Sequence, residues 1–182
     1  MKKTRHDESV RDVILARRKK IILRRDYCSL LRHMVIAAAA IWLLFTQVFV
    51  IRLSDGNDMF PALMDGDLLI GYRMPQKYAR NDTVLYTLNG QQKTGRIAAC
   101  RGDVVDFEES GALRVNGTLQ TEQVFFPSYS KEQFSYPMRI EEGCVYILGD
   151  CRTCSTDSRD FGPVPVEALD GKVITLLRRR KI

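Results

Sequence analysis

An apolar segment without charged residues separates a highly charged leader from a longer region of mixed character. It runs from Met34 to Ile51 and contains only two polar side chains. As a helix, a segment of this length covers about 27 Å, which just spans the ~30 Å hydrocarbon core of a membrane. The residues that follow, Arg52 to Asp55, are not the small-residue cleavage site of a secretory signal. The pattern predicts an uncleaved transmembrane anchor over residues 34–51.

After the anchor, apolar residues come in short runs separated by turn residues, a pattern typical of strands. The predicted strands are Leu68–Tyr72, Thr83–Thr87, Arg96–Cys100, Val104–Phe107, Val145–Leu148 and Val173–Leu177. Asn116-Gly117 lies between apolar strand residues and suits a type I′ hairpin, because both turn residues must take positive φ. Asp170-Gly171 is predicted to be a turn before the last strand. No helical periodicity of convincing length follows residue 51, so residues 52–182 are predicted to form a mainly β domain.

The charges of the chain are distributed unevenly. Of 28 Lys and Arg residues, 11 lie in the leader, residues 1–33, against 4 Asp and Glu, whereas residues 52–182 hold 17 against 18. This distribution gives the β domain no charge basis for binding nucleic acid. Because basic residues remain on the cytoplasmic side of an anchor, we expect a cytoplasmic leader and an extracellular β domain. The leader could also contact anionic lipid headgroups.

The residues available for chemistry in the β domain are limited. Both histidines, His6 and His33, precede residue 34, so Ser-His-Asp catalysis and histidine-containing zinc sites are excluded there. The domain's cysteines can form one or two disulfides in an oxidising compartment, and their pairing stays open. Those cysteines are Cys100, Cys144, Cys151 and Cys154. We expect neither a metal nor a cofactor, and a redox role for the Cys151-x-x-Cys154 pair is a third reading of the function.

Three segments together resemble the sequence motifs of type I signal peptidases, membrane-anchored Ser-Lys proteases. The family pattern G-x-S-M-x-P-T-L-x-x-G-D is similar to Gly56–Asp67, and K-R-V-I-G-x-P-G-D is similar to Gly95–Asp103. The pattern L-G-D-N-R-x-x-S-x-D-S-R-x-F-G-x-V is matched by Leu148–Val164. The order and spacing of the motifs agree with the family, and so does the preceding anchor. The resemblance implies a β domain of coiled antiparallel sheets behind one transmembrane helix.

Two departures from the family motifs affect catalysis. Asp58 stands at the position of the nucleophilic serine and Gly95 at that of the general-base lysine. A carboxylate is a poor nucleophile towards an amide, and glycine can accept no proton. In an active relative Ser155 would orient the lysine, a role that lapses here, and Cys151 replaces an asparagine of the third motif. The sequence therefore predicts a homologue without peptidase activity.

The resemblance also implies a peptide-binding cleft and a supporting ion-pair network. The expected cleft residues are Gly56, Asn57, Asp58, Met59, Phe60, Pro61, Lys93, Gly95 and Ser155. Arg96, Asp157 and Arg159 resemble the salt-bridge set that supports the family's site. Met59 and Phe60, together with Phe125 and Phe126, suit an apolar rim in contact with membrane lipid.

The function expected from this resemblance is non-catalytic. The chain resembles signal-peptidase-like proteins encoded with the pili of Gram-positive cocci, which implies an assembly factor for pilin polymerisation. It would bind an extended segment of a pilin precursor, with a pilus sortase as a further partner. The alternative is an active peptidase with relocated groups, in which Lys93 is the base and Ser54 the nucleophile. Lys93 precedes Gly95 by two residues, so both face the same side of a strand.

Overall fold

The first element of the chain is one long helix. The computed structural model describes residues 3–75, 77–120, 127–131 and 133–178, and in it helix α1 runs unbroken through Lys3–Val48. By length and composition its segment Leu23–Val48 can cross a membrane, and none of the most apolar 18 residues of that segment is buried. The helix is therefore compatible with a single-pass anchor. The chain divides into two compact units, one up to Thr46 and one from Gln47 onwards.

The helix differs from the predicted anchor at both ends. It begins within the leader rather than at Met34, and it ends at Val48 rather than at Ile51. The next residues form strand β1, Phe49–Leu53, which pairs antiparallel with residues 68–72. Phe49, Val50 and Ile51 are aromatic or β-branched, so they suit a strand as well as an apolar helix. An uncharged run alone does not mark where the helix stops.

The β domain contains two antiparallel sheets. Its remaining strands are β2 Leu68–Tyr72, β3 Thr83–Leu88, β4 Gln91–Ala99, β5 Val104–Phe107, β6 Leu113–Val115, β7 Thr118–Leu119, β8 Met138–Arg139, β9 Cys144–Leu148, β10 Val164–Pro165 and β11 Leu169–Leu177. The larger sheet has the order β1-β2-β11-β3-β4-β9-β10, and the smaller has the order β7-β6-β5-β8. A four-residue helix α2, Ser158–Phe161, and a 3₁₀ turn, Val166–Ala168, lie between β9 and β11.

Each of the six predicted strands is present, and β4 and β11 differ most from their predicted bounds. Strand β4 begins five residues earlier than predicted, at Gln91. Asn116 and Gly117 have φ values of 54° and 75°, which confirms the tight hairpin. Asp170-Gly171 is not a turn but lies inside β11, at a register shift opposite β3. A Cβ atom on Gly171 would lie 2.8 Å from the Tyr72 carbonyl oxygen, so close backbone packing explains this glycine.

The core explains why β9 is apolar at successive positions. Val145 and Ile147 pack into a cluster with Val84 of β3, whereas Tyr146 and Leu148 pack into a cluster with Val105 of the smaller sheet. A strand buried on both faces shows no alternation of apolar and polar residues. β9 therefore connects the two cores, and the segment that follows it carries the third sequence motif.

Candidate functional site

The loop between β1 and β2 carries the first motif and is held by backbone hydrogen bonds. Ser54 N donates to the Asp67 carbonyl oxygen at 2.8 Å, and Gly66 N donates to the Ser54 carbonyl oxygen at 2.9 Å. Met59 is 2% exposed and packs into a core cluster with Leu69. Because Met59 is fixed in the core, the preceding residue, Asp58, has a defined position at the surface.

An open strand edge lies beside this loop. β4 pairs with β3 along Gln91–Arg96, but its pairing with β9 begins only at Arg96. The first half of β4 therefore has one edge without a strand partner among the described residues. Between this half and the first-motif loop lies a cleft of about 550 Å³. Its lining residues are Arg52, Leu53, Ser54, Asp55, Gly56, Asp58, Met59, Gln91, Gln92, Lys93 and Thr94.

The Asp58 carboxylate lies in this cleft and is half-buried. Among the described residues it accepts no hydrogen bond and forms no ion pair. Burial raises the pKa of Asp58, and the nearby Lys93 ammonium lowers it in part. Asp58 is thus a desolvated carboxylate with a cation near it but outside ion-pair distance.

The space at position 95 is filled by neighbouring side chains. A Cβ atom on Gly95 would lie 2.3 Å from Ile147 Cγ2 and 3.4 Å from the Tyr86 ring. Both neighbours are almost fully buried, Ile147 at 0% and Tyr86 at 1% exposed. Core atoms therefore occupy the place where a longer residue at position 95 would begin. Lys93 lies on the same strand and lines the cleft.

Ser155, Asp157 and Arg159 form a buried network behind the cleft. Ser155 Oγ donates to Asp157 Oδ2 at 2.7 Å, and the Arg159 guanidinium donates to both Asp157 oxygens at 2.8 Å. Both charged side chains are 2% exposed. Burial raises the pKa of Asp157, but Arg159 and the hydrogen bonds outweigh this effect, so its pKa lies below its usual range. The Ser155 hydroxyl proton is thereby used in the hydrogen bond to Asp157.

A second ion pair fixes the strand that carries Gly95. The Arg96 guanidinium binds Asp150 through two hydrogen bonds, of 2.8 and 2.7 Å. Arg96, which the sequence grouped with Asp157 and Arg159, thus pairs with a different carboxylate. Arg152 is also buried, and its Nε donates to the Gly149 carbonyl oxygen at 2.9 Å. Burial lowers the pKa of Arg152 to about 10, still well above neutrality.

The cysteines of the third motif are joined to each other. A disulfide links Cys151 and Cys154, whereas Cys100 and Cys144 are free. The pairing that the sequence left open is thereby assigned in this structure. Among the described residues, no group of three or more His, Cys, Asp and Glu side chains could hold a metal ion.

The structure brings together part of the predicted cleft. Gly56, Asp58, Met59 and Lys93 line it, whereas Gly95 and Ser155 are buried outside its lining. The sequence reading missed Arg52, Leu53, Asp55, Gln91, Gln92 and Thr94 as lining residues. A predicted β4 that began directly after Gly90, within the polar segment there, would have included Gln91, Gln92 and Thr94.

The predicted lipid-contacting rim is only partly accessible. Met59 is a core residue at 2% exposed, so it cannot contact lipid in this structure. Phe60 is 41% exposed. Phe125 and Phe126 lie outside the described residues. Met59 packs under the loop. The sequence pattern alone could not distinguish such a buried apolar side chain from one exposed to lipid.

Comparisons with known proteins find relatives that are named as peptidases. The chain is 28% identical over 142 residues to signal peptidase I of Bacillus caldolyticus, covering 69% of this chain and 78% of the relative. It is 38% identical over 79 residues to the chloroplastic thylakoidal processing peptidase 1 of Arabidopsis thaliana, covering 43% and 22%. A crystal structure of a signal peptidase I from Enterococcus faecalis V583 aligns with a TM-score of 0.46 and 27% identity, covering 54% and 97%.

The predicted fold class is confirmed: the domain is mainly β, with antiparallel sheets and one apolar N-terminal helix. The profile of the family described as "Signal peptidase, peptidase S26" matches residues 27–177, which is most of the chain and includes all three motifs. The chain belongs to the signal peptidase family, peptidase S26.

Proposed function

We propose that this protein binds an extended peptide segment of an exported partner in the cleft and does not cleave it. The observation that carries this proposal is the filled space at Gly95, combined with an open strand edge on the same strand. The cleft retains what peptide binding requires, whereas the two catalytic side chains of the family are replaced. Binding without cleavage is the activity that these features favour.

The proposal of inactivity rests on the groups that face the cleft. A Ser-Lys peptidase needs a hydroxyl nucleophile and a neutral amine within hydrogen-bond reach of it. Asp58 offers a carboxylate instead, and its charge would repel the developing oxyanion. Tyr86, next to Gly95, cannot replace the base, because burial raises its pKa well above its ordinary range and the phenol stays neutral.

Peptide binding needs neither catalytic group. An extended segment can add to the unpaired edge of β4 through main-chain hydrogen bonds, with side chains entering the cleft alternately. The cleft is mainly polar, and its Arg52 is already bound to Asp170 at 3.0 Å. Lys93, Asp55 and Asp58 have no ion-pair partner among the described residues, so they are available to a bound segment.

The partner follows from the resemblance to the signal-peptidase-like protein SipA, encoded with the pili of Gram-positive cocci. On that basis the bound segment belongs to a pilin precursor, and the protein acts as a chaperone or assembly factor beside a pilus sortase. The basic leader places the N-terminus in the cytoplasm and the β domain at the cell surface. Catalysis by the sortase would then supply the covalent step.

The test uses detergent-solubilised full-length protein and a signal-bearing pilin precursor. Binding is titrated, and the same samples are examined by mass spectrometry for cleavage, with an active signal peptidase as positive control. Lys93→Trp should fill the cleft and weaken binding at least about tenfold. The matched control is Lys77→Trp, at an exposed position away from the cleft lining. Intact precursor with saturable, cleft-dependent binding is expected; absence of binding would reject the proposal.

A second candidate is a peptidase with relocated catalytic groups. It is favoured by one observation: Ser54 and Lys93 line the same cleft. The relatives reported above are named as a signal peptidase and a processing peptidase, so cleavage must be measured directly. If the precursor is cut at its signal site, and the cut is lost in both Ser54→Ala and Lys93→Ala but kept in Lys77→Ala, this candidate replaces the binding proposal.

A further inference from the structure

We propose that the Cys151–Cys154 disulfide is a thiol–disulfide exchange site, and that its opening by an external dithiol weakens peptide binding in the adjacent cleft. This inference rests on the proposed function, because it concerns the control of the same cleft. It assigns a role to the Cys-x-x-Cys pair, which neither the peptide-binding groups nor the buried ion pairs require.

The disulfide lies directly behind the first-motif loop. Cys151 N donates to the Asp58 carbonyl oxygen at 3.0 Å, and Cys154 Sγ lies 3.7 Å from the Asn57 carbonyl oxygen. The packing there is tight, because a Cβ atom on Gly149 would lie only 2.6 Å from the Asp58 carbonyl oxygen. The backbone that presents Asp58 to the cleft therefore rests against the disulfide turn.

The two ends of the turn are held differently. Arg152 is anchored inside the domain, since its Nε binds Gly149 and its carbonyl oxygen accepts a hydrogen bond of 2.7 Å from Arg159 Nη2. Cys151 is buried at 7% exposed, whereas Thr153 and Cys154 are exposed. The covalent bond ties the exposed end to the anchored end. Backbone hydrogen bonds from Cys154 N and Ser155 N to the Cys151 carbonyl oxygen, at 3.1 and 2.9 Å, also close the turn. Loss of the disulfide would therefore release the Cys154 side chain, which contacts Asn57, rather than the whole turn.

The exposed sulfur is the one that an external thiolate can reach. A thiolate of a dithiol attacks Cys154 Sγ, the S–S bond breaks, and Cys151 leaves as a thiolate that takes up a proton. The second thiol of the reductant then displaces Cys154, which also gains a proton. The disulfide gains two electrons and two protons, and the dithiol becomes a disulfide. Thr153 Oγ1, 4.0 Å from Cys151 Sγ, is placed to interact with the departing sulfur.

The consequence for the cleft is a loss of preorganisation. With the bond intact, the Asn57-Asp58 backbone is held in one position beside the open edge of β4. After reduction the Cys154 side chain is no longer held against the Asn57 carbonyl oxygen, and a bound peptide must then bear the cost of ordering this part of the loop. Reduction should therefore lower affinity without removing the binding site.

The experiment uses full-length protein in detergent, with Cys28, Cys100 and Cys144 replaced by Ser, so that only the disulfide cysteines remain. The probe is a cysteine-free, signal-bearing pilin precursor, titrated before and after treatment with dithiothreitol. Maleimide labelling of the folded protein should find no thiol before treatment and two after it. The Kd should rise by at least about fivefold on reduction, the lower range of typical coupling between sites.

The control is the further variant Cys151→Ser/Cys154→Ser, whose Kd should equal that of the reduced protein and should not respond to dithiothreitol. An unchanged Kd after two thiols have appeared would overturn the inference while leaving peptide binding intact. A disulfide that resists native dithiothreitol, or a domain that unfolds on reduction by circular dichroism, would also overturn it. Failure of the oxidised protein to bind would instead reject the proposed function.

Discussion

A carboxylate that is half-buried without a partner reduces stability, and Asp58 is such a group. Since its pKa is raised in the folded state, the folded protein holds this proton more tightly than the unfolded chain. The contribution of Asp58 to stability is therefore favourable at low pH and is lost as pH rises above about 4. Asp58→Asn should stabilise the protein at pH 7 by up to about 0.5 kcal/mol, a value reduced for solvent screening.

Thermal unfolding of the full-length protein in detergent at pH 4 and pH 7 checks this prediction. The variant's advantage should be larger at pH 7, whereas Glu109→Gln, at an exposed residue, should behave as wild type at both values. A lower melting temperature for Asp58→Asn at pH 7 would indicate that the carboxylate has a stabilising partner.

Gly95 supplies no general base, and the packing around it also leaves no room for a side chain. In Gly95→Ala the new methyl group would overlap Ile147 Cγ2, so we expect a loss of about 1–3 kcal/mol. If the overlap is the cause, Gly95→Ala should cost less in an Ile147→Ala background, where the contacting methyl group is gone. Urea denaturation of the wild type, the two single variants and the double variant measures the coupling free energy between the two positions. Additive losses would place the strain elsewhere.

At the scale of elements, the turn after β9 depends on the buried Asp157–Arg159 pair. Asp157 also accepts hydrogen bonds from Gly149 N and Ser155 Oγ, so Asp157→Asn leaves Arg159 buried without its counter-charge. We expect a loss of about 3–5 kcal/mol. Because the pKa of Asp157 is lowered by folding, this stability is present at neutral pH and is lost as pH falls below about 4.

The melting temperature measured against pH tests this assignment. The melting temperature of the wild type should fall steeply in acid. That of Asp157→Asn should be lower at neutral pH and should decrease less as the pH falls. Glu167→Gln changes an exposed carboxylate outside this network and should leave the curve unchanged. Equal acid sensitivity in Asp157→Asn and wild type would mean that other carboxylates control acid unfolding.

The sequence predicted the existence of strands more accurately than the residues at which they begin and end. It was least informative about which side chains pair with each other. Val104–Phe107 has the predicted bounds because turn residues flank a β-branched run. Strand β1 was assigned to the anchor, since apolar strand and helix residues look alike without periodicity. Motif spacing located Asp58 and Lys93 in one cleft, but it could not show that Arg96 binds Asp150. Such pairing depends on tertiary distances, which a single sequence does not contain.

At the scale of the whole molecule, the charge asymmetry predicts which side of a membrane receives the β domain. The segment Leu23–Val48 can cross a membrane in either direction by length and composition. The leader carries 11 basic against 4 acidic residues, whereas residues 52–182 are close to neutral. Since positive residues near an anchor are retained in the cytoplasm, we expect the β domain outside the cell. The same orientation would bring the cleft to exported precursors.

Single-cysteine variants in intact cells measure this orientation directly. In a background without native cysteines, Lys77→Cys should react with a membrane-impermeant maleimide, and Lys20→Cys should react only after the membrane is permeabilised. Replacing Arg24, Arg25 and Arg32 by Glu should reduce labelling of Lys77→Cys, because the positive charge nearest the uncharged run of residues 34–51 is then lost. Labelling of Lys20→Cys in intact cells would place the leader outside. In that case the cleft would face the cytoplasm, where it could not meet a translocated pilin.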